Sequence, residues 1–173
     1  MASPIPLTKV LLVGDCEVGK TAFVTRHRTG VFVGKYKATE NVQITPLSFY
    51  TNHGKMTVEI WDHSGTCIKT GIKSDGYDAA IVMFDLTNRT SFKSVSMWIS
   101  MIRMQFPEIH IIVCGNKGDC KAKRAAYIIL QALVRETNGV YHDISTKSNL
   151  SIDSPFISIA RKRIGKDIKF VEK

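Results

Sequence analysis

Residues 14–21 read Gly14-Asp15-Cys16-Glu17-Val18-Gly19-Lys20-Thr21 and follow directly on an aliphatic run, Lys9–Val13. The run has the length of a buried strand, and the eight residues match G-x-x-x-x-G-K-[ST], the pattern of a phosphate-binding loop. The glycines let successive backbone N–H groups converge on phosphate oxygens, and a helix beginning near Gly19 turns its positive end toward the same anion. The pattern predicts a nucleoside triphosphate with Mg²⁺ as the ligand, with Lys20 on the β- and γ-phosphates and the Thr21 hydroxyl on the metal ion. A glycine-rich turn that binds nothing is the alternative, and the agreement of strand, loop and helix patterns disfavours it.

The size and composition of the chain predict a single soluble domain spanning residues 1–173. Hydrophobic residues make up 44% of the sequence and charged residues 23%, which is ordinary for a globular protein. No apolar run approaches the roughly 20 residues that cross a bilayer. Met1-Ala2-Ser3-Pro4 has no signal-peptide pattern, Ala2 replaces the glycine that myristoylation needs, and Lys173 ends the chain without a prenylated cysteine. We therefore expect an intracellular, monomeric protein without a membrane anchor and with a flexible N-terminus over residues 1–8.

The charge is strongly positive and concentrates near the end of the chain. The net charge is +9, and the basic residues of this region are Arg161, Lys162, Arg163, Lys166, Lys169 and Lys173. Such a surface favours acidic partners, although a solvated helix face explains it equally well. No aromatic stacking motif accompanies the charge, so no specific nucleic-acid partner is predicted.

The four cysteines predict reduced thiols rather than a metal site or a disulfide framework. Cys16, Cys67, Cys114 and Cys120 form no C-x-x-C pair and have no metal-ligand spacing. Cys114 lies in an apolar run and is assigned to the core, and the other three fall in predicted loops. Reduced thiols are typical of a cytosolic or nuclear compartment.

Strand and helix patterns alternate along the chain, which predicts an α/β fold with six strands and about five helices covering both faces of a mostly parallel sheet. A hairpin is expected from the extended runs Val42–Tyr50 and Met56–Trp61, joined by a turn at residues 51–54. Further strands are predicted at Ala79–Phe84, at His110–Cys114 and just before Ser145. The predicted helices are Thr21–Thr29, an amphipathic helix from Phe92 to Phe106, another over Tyr127–Val134, and a last one from Pro155 to Gly165.

Three further motifs identify the base as guanine. Asp62-His63-Ser64-Gly65 has the form D-x-x-G, in which the carboxylate holds a Mg²⁺-bound water and the glycine amide approaches the γ-phosphate. Asn116-Lys117-Gly118-Asp119 has the form N-K-x-D, whose aspartate accepts from N1–H and N2–H₂ of guanine while the lysine stem lies along the base. Adenine lacks that donor pair and would leave the carboxylate unpaired. Ser145-Thr146-Lys147 is expected to present a backbone N–H to guanine O6.

With these motifs in this order, the chain resembles the Ras superfamily of small GTPases, and within it the Ran-type GTPases of nuclear transport. The resemblance extends from about Lys9 to Val171. Beyond the nucleotide motifs it rests on Arg26-His27, Thr29-Gly30, Lys35-Tyr36, Ala38-Thr39, Pro46-Leu47, Thr51-Asn52, Gly54, Asp75-Gly76-Tyr77, Cys114-Gly115, Asp143-Ile144-Ser145, Lys147-Ser148-Asn149, Ala160-Arg161-Lys162 and Ile164-Gly165.

The resemblance implies roles for residues that the motifs do not cover. Phe32 would pack against guanine, Tyr36 would cover the phosphates, and Thr39 would bind Mg²⁺ in the GTP state; loop aromatics covering the core are the alternative for Phe32 and Tyr36. Ala22 would also contact the nucleotide. Residues 33–43 and 62–76 would form two switch loops, which γ-phosphate and Mg²⁺ order. GTP or GDP with Mg²⁺, importin- and exportin-type receptors, GTPase regulators, and a location in nucleus and cytoplasm are further expectations from the resemblance.

Several departures from the family pattern predict slow GTP hydrolysis, with no catalytic residue intact. Thr66 stands where the family carries the glutamine that orients the attacking water, and it is too short to replace it. Cys16 and Glu17 stand where Ran-type chains have two glycines, so that a side chain crowds the path of an arginine finger and a carboxylate lies near the phosphates. Assisted hydrolysis contributes roughly 10³–10⁵ in rate. Glu17 with Ser64-Gly65-Thr66 also resembles the Rnd-type, permanently GTP-bound GTPases, and His63 is expected to be an exposed loop residue.

Two other departures concern partners. The acidic tail of Ran-type chains, which favours the GDP state, is absent from the sequence, and its basic docking cluster is reduced to Val134-Arg135-Glu136-Thr137; this predicts a bias toward the GTP-like conformation. Cys67-Ile68-Lys69-Thr70 alters the second switch, and so recognition by the exchange factor and by the carrier of the GDP form is in question. Two functions compete: a Ran-like transport switch, and a GTP-locked module that scaffolds or sequesters partners. The N-K-x-D and Ser-Thr-Lys motifs argue against a third, an unrelated P-loop kinase or ATPase.

Overall fold

A computed structural model describes residues 5–34, 38–39, 41–65, 72, 76–120, 131–132, 134–135 and 138–171. Six strands form one sheet: β1 Thr8–Val13, β2 Gln43–Thr51, β3 Gly54–Asp62, β4 Ala79–Asp85, β5 His110–Asn116 and β6 Val140–Asp143. Three helices accompany it within the described residues: α1 Lys20–Thr29, α2 Arg89–Gln105 and α3 Ser154–Arg163. The predicted α/β class and six-stranded sheet are confirmed.

The sheet has the order β2-β3-β1-β4-β5-β6, and every neighbouring pair except β2–β3 is parallel. The predicted hairpin is therefore correct, with its turn at Asn52 and His53. Thr51 stabilises that turn, since its hydroxyl accepts from the His53 N–H at 3.1 Å and donates to the Gly54 carbonyl at 2.7 Å. Parallel strands bring their carboxyl ends to one edge, which is where ligands bind in such sheets.

The two faces of the sheet carry separate hydrophobic clusters. One lies under α1 and α3 and is centred on Phe23 and Phe156, and the other lies under α2 and is centred on Trp98 and Ile102. The strands β1, β4 and β5 are buried on both faces, which is why they read as continuous aliphatic runs. Cys114 is fully buried there as predicted, and burial raises the pKa of its thiol. Cys16 and Cys120 are exposed free thiols, and Cys67 lies outside the described residues.

Some predicted boundaries and counts differ from the structure. Helix α2 begins at Arg89, three residues before the prediction, because the Asn88 side chain caps it by accepting from the N–H groups of Thr90 and Ser91. Within the described residues three helices are found, where about five were predicted. Gln131, Ala132, Val134 and Arg135 are also helical, and the rest of the predicted helix over 127–134 lies outside the described residues. The ordered domain begins before residue 9, since Thr8 is buried in β1 and Ile5 packs against the core.

Over the described residues, no helix is both long enough and apolar enough to cross a membrane.

Phe156→Ala should strongly destabilise the fold. The ring is fully buried and lies between Phe23, Phe49 and His27, with centroids 5.6, 4.7 and 4.9 Å away. Removing it leaves a cavity that typically costs about 3–5 kcal/mol. Urea denaturation measures the loss, with the partly exposed Phe92→Ala as the control that loses less. Equal losses in the two variants would contradict the placement of Phe156 at the centre of the core.

Candidate nucleotide-binding site

A cavity of about 790 Å³ opens at the carboxyl ends of the strands. The predicted site residues that line it are Cys16, Glu17, Gly19, Lys20, Thr21, Ala22, Phe32, Thr39, Gly65, Asn116, Lys117, Asp119, Thr146 and Lys147. Gly14, Asp15, Val18, Asp62 and Ser145 are not among the lining residues. Tyr36 and Thr66 lie outside the described residues, as do residues 35–37 and 40 of the first predicted switch and residues 66–71 and 73–75 of the second.

The phosphate-binding loop has the geometry that its sequence predicts. The Lys20 ammonium is nearly buried and folds back over the loop, donating to the carbonyls of Gly14 at 2.7 Å and Asp15 at 2.9 Å. Gly19, at a φ of 100°, leads into α1, and within the described chain no side chain caps that helix. The first N–H groups of α1 therefore face the cavity together with the positive end of the helix dipole, an arrangement that binds phosphate.

Helix α2 contacts the phosphate-binding loop through a side-chain hydrogen bond. The indole N–H of Trp98, a core residue of α2, donates to the Asp15 carboxylate at 2.9 Å. This contact fixes the second residue of the loop against the α2 face of the sheet. The sequence predicts Trp98 only as a core residue, because its helical spacing carries no information about a partner 83 positions away.

Three oxygen-bearing side chains meet at the corner assigned to the metal ion. The Thr21 hydroxyl donates to Asp62 Oδ2 at 2.6 Å and lies 2.9 Å from the Thr39 hydroxyl. Asp62 is 1% exposed, and its Oδ1 has no hydrogen-bond partner among the described residues. Burial raises the pKa of Asp62, against the lowering effects of the Thr21 hydrogen bond and the Lys20 charge. A buried carboxylate oxygen without a partner, beside two hydroxyls, fits a hard divalent cation such as Mg²⁺, directly or through its waters.

The opposite end of the cavity has the groups expected for a guanine site. The Asp119 carboxylate accepts from the Ser145 hydroxyl at 2.6 Å, and this hydrogen bond is the main reason why its pKa is lowered. The residue is therefore ionised at neutral pH, as an acceptor for N1–H and N2–H₂ must be. Lys117 is held by an ion pair to Asp85 at 2.6 Å, which fixes its stem along one wall. Both residues line the cavity, and their contacts with guanine stay a prediction.

In the motif Ser145-Thr146-Lys147, two of the three backbone N–H groups have protein acceptors. The Ser145 N–H donates to the Leu150 carbonyl at 2.9 Å, and the Thr146 N–H donates to Asn116 Oδ1 at 3.1 Å. Among the described residues of this motif, Lys147 is thus the one whose N–H is not engaged by a protein acceptor. The Lys147 N–H is therefore the donor of this motif that is available for guanine O6, and the contact itself stays a prediction.

Asn116 joins the two ends of the cavity. Its amide donates to the Val18 carbonyl at 2.9 Å, and its carbonyl accepts from the N–H and hydroxyl of Thr146 at 3.1 and 3.0 Å. The side chain is almost completely buried. A Cβ on Gly19 would lie 2.4 Å from Asn116 Nδ2, so the phosphate loop needs a glycine there to approach this amide.

A sequence model of the Ras family matches residues 9–164, which is most of the chain. The chain belongs to the Ras family. It is therefore a small GTPase by fold and a GTP-binding protein, and members of the family bind GTP or GDP with Mg²⁺. The cavity, its phosphate loop, its acidic corner and its guanine-reading carboxylate account physically for that ligand.

Cys16 lies at the point where the phosphate loop meets the D-x-x-G glycine. A Cβ built on Gly65 would lie 2.4 Å from the Cys16 N atom and 2.7 Å from its Sγ. The backbone of Gly65 therefore lies directly against Cys16, and no larger residue fits without moving the loop. The next residue, Glu17, has a φ of 64°, a left-handed conformation that favours glycine and costs a larger residue about 1–2 kcal/mol.

The expectation of an exposed His63 is wrong. The residue is 1% exposed, and its ring contacts the Tyr77 hydroxyl at 3.3 Å. The reason is local: the His63 N–H bonds the Leu12 carbonyl, so the strand alternation of β3 continues one residue further. Asp62 then faces Thr21 of α1, while His63 faces Tyr77 on the α2 side of the sheet.

Several cavity residues were not predicted from the sequence. They are Thr25, Val33, Gly34, Ala38, Ser64 and Cys120. Thr25 follows Thr21 by one helical turn, so the periodicity of α1 contains enough information to find it. The other five are neighbours of predicted residues in loops, where no periodicity indicates which side chains face the ligand.

Asp119→Asn should weaken guanine nucleotide binding by roughly 10²- to 10⁴-fold, because two hydrogen bonds to a carboxylate are lost. The amide pairs instead with a base that offers one donor and one acceptor at these positions, so xanthosine diphosphate should bind more tightly to the variant than to the wild type. Titration of fluorescent nucleotides measures both affinities. Asp167→Asn, which changes an exposed carboxylate outside the cavity, is the control. Unchanged guanine affinity would contradict the assignment of Asp119.

Asp62→Asn should change stability in opposite directions with and without metal. In the nucleotide-free protein without Mg²⁺, removing a buried charge should raise the free energy of unfolding by about 1 kcal/mol or more. With GDP and Mg²⁺ the order should reverse, because the wild-type carboxylate gains its cation. Thermal unfolding in EDTA and in Mg²⁺ tests both signs. An Asp62→Asn variant that is less stable under both conditions would argue against a cation at this corner.

Proposed function

We propose that the chain is a Ran-type GTP-binding protein that acts in nucleocytoplasmic transport through importin-type receptors and hydrolyses GTP slowly. The proposal of slow hydrolysis rests mainly on the contact of Cys16 with Gly65. It places a side chain at the phosphate end of the cavity, where GTP hydrolysis needs space for water and for an arginine of a regulator.

The phosphate end contains three departures that act on the same step. Thr66, one residue beyond Gly65, has no side chain long enough to orient water as the family glutamine does. Cys16 narrows the entrance, and Glu17 adds a negative charge close to the position of the phosphates, where the transition state needs positive charge. Binding depends on different groups, namely the loop amides, Lys20 and Asp119. The described cavity residues thus support nucleotide binding, whereas Thr66 in the sequence replaces the glutamine that would orient the attacking water.

The transport role rests on the resemblance to Ran-type chains, which includes Lys35-Tyr36 and Ala38-Thr39 in the first switch and Asp75-Gly76-Tyr77 around the end of the second, whereas Cys67-Ile68-Lys69-Thr70 departs from it. The net charge of +9 suits a protein partner with an acidic surface. The predicted receptors are of the importin and exportin type, and the predicted location is nucleus and cytoplasm.

A second candidate is a GTP-locked module that scaffolds or sequesters partners without turnover. It is favoured by the left-handed φ of 64° at Glu17. Keeping a non-glycine residue in a strained conformation at a functional site costs stability. Suppression of GTP hydrolysis by the Glu17 carboxylate would explain why this conformational cost is tolerated.

The nucleotide carried by the purified protein separates the two candidates. Acid releases it, and chromatography identifies it. Predominantly GTP supports the locked module, and predominantly GDP supports a slowly cycling enzyme. An adenine nucleotide would contradict both. Binding of purified importin-type receptors to the GTP-analogue form but not to the GDP form would support the transport role, and no binding to either form would contradict it.

Single-turnover hydrolysis of bound GTP tests the account of the phosphate end. Thr66→Gln should raise the rate only a few-fold, because Cys16 and Glu17 remain. The triple change Thr66→Gln, Cys16→Gly and Glu17→Gly should raise the hydrolysis rate much further. A GTPase activator should act only on the triple variant and should accelerate hydrolysis by roughly 10³-fold or more. Cys120→Ser, at the base end of the cavity, is the control. Restoration of ordinary hydrolysis by Thr66→Gln alone would show that the two loop side chains do not matter.

A further inference from the structure

A second cavity, of about 400 Å³, lies at the end of the sheet opposite the nucleotide site, where β5 begins. Its polar walls come from separate elements: Arg103 from α2, His110 from β5 and Lys162 from the last turn of α3. Asn138 and Glu108 complete the polar lining. The nucleotide chemistry uses none of these residues.

The shape of this cavity is fixed by its own hydrogen bonds. Arg103 Nη1 donates to the Pro107 carbonyl at 2.5 Å and to the Ile109 carbonyl at 2.8 Å, which holds the α2–β5 loop against the helix. His110 pairs with Ala79 in the parallel β4–β5 ladder. Two rigid elements therefore position Arg103 and His110, and Lys162 approaches them from a third.

The basic groups are close enough to influence one another. Burial lowers the pKa of His110, and the positive charges of Lys162 and Arg103 lower it further. The imidazole is accordingly neutral at neutral pH, with two cations beside it and the Glu108 carboxylate on the cavity wall. Among the lining residues that the structure describes, two positive charges and one negative charge leave the cavity with a net positive charge.

We propose that this cavity is a binding site for a phosphate dianion, either inorganic phosphate or the phosphomonoester of a phosphorylated side chain, held by Arg103, Lys162 and His110. Arginine and lysine are the usual ligands of phosphate, and charge-assisted hydrogen bonds to both are strong. The Asn138 amide lies on the same lining as a further donor.

The charge balance favours a dianion over a carboxylate. With His110 protonated, the three basic groups and Glu108 sum to two positive charges. A dianion neutralises that sum, and a monoanion leaves a surplus. Binding should therefore draw a proton onto His110, which then donates the third hydrogen bond to the anion.

The test uses the protein saturated with GDP and Mg²⁺, so that its phosphate loop is already filled. Sodium phosphate is titrated at constant ionic strength, with sodium chloride alone as the reference, while NMR follows the histidine ring signals. His110 signals, identified with His110→Gln, should shift saturably, and the pKa of His110 should rise in the presence of phosphate. O-phosphoserine, titrated in parallel, should reproduce the shift if the ligand is a monoester, and only inorganic phosphate should do so if it is the free ion.

Lys162→Gln should weaken phosphate binding by about tenfold, and Lys162→Arg should retain most of it. Lys166→Gln removes the same charge from an exposed residue outside the cavity and should change the affinity less than about twofold. The inference is overturned if chloride shifts the His110 signals as phosphate does, if phosphate produces no saturable shift, or if Lys162→Gln and Lys166→Gln behave alike. If GDP does not bind, phosphate should instead shift the amide signals of Gly19 and Lys20. That outcome differs from failure of the phosphate site, so the experiment distinguishes between failure of the nucleotide site and failure of this inference.

Discussion

The buried amide of Asn116 is the interaction on which the nucleotide site depends. It donates to the phosphate loop at Val18 and accepts from the guanine side at Thr146, and it lies at the end of β5, the strand next to the sheet edge β6. A buried side-chain amide satisfied on both sides is rigid and costly to disturb. Through it, a loop that follows β1 and a loop that follows β6 are held at a fixed separation, which sets the distance between the amides that bind phosphate and the carboxylate that reads the base. The N-K-x-D motif thus has a structural residue first and a recognition residue last.

The phosphate-loop end of the cavity contains both groups suited to bind a triphosphate and groups expected to hinder its hydrolysis. Lys20 donates to the Gly14 carbonyl and Thr21 donates to Asp62, which positions the three side chains predicted to hold a triphosphate and its metal ion, and Trp98 holds the loop through Asp15. In the same loop, Cys16 contacts Gly65 and Glu17 has a left-handed backbone conformation. On the proposal of slow hydrolysis, the groups that bind the ground state are kept, whereas the space and positive charge that a hydrolytic transition state needs are reduced. The proposal therefore separates nucleotide affinity from GTP turnover and assigns the departures from the family pattern to turnover.

The sequence predicts those parts of the protein in which neighbouring residues decide the outcome. The phosphate loop, the hairpin and the buried parallel strands follow from local spacing, and so does the position of Asp119. Contacts between distant segments do not follow: Trp98 and Asp15 are 83 positions apart, and Asn116 and Val18 are 98 apart. His63 was misplaced because loop residues are expected to be exposed, whereas one backbone hydrogen bond to Leu12 extends the strand and turns the ring inward. The Asn88 cap has a recognisable sequence, and its omission explains the late start predicted for α2.

The most direct test of the central claim is calorimetric titration of the nucleotide-free protein, with Mg²⁺ present, using slowly hydrolysed analogues of GTP and of ATP. A site that pairs the Asp119 carboxylate with guanine should prefer the GTP analogue by roughly 10⁴-fold, with one nucleotide bound per chain. No heat from the GTP analogue, or equal affinity for the two analogues, would contradict the account of the cavity as a guanine nucleotide site.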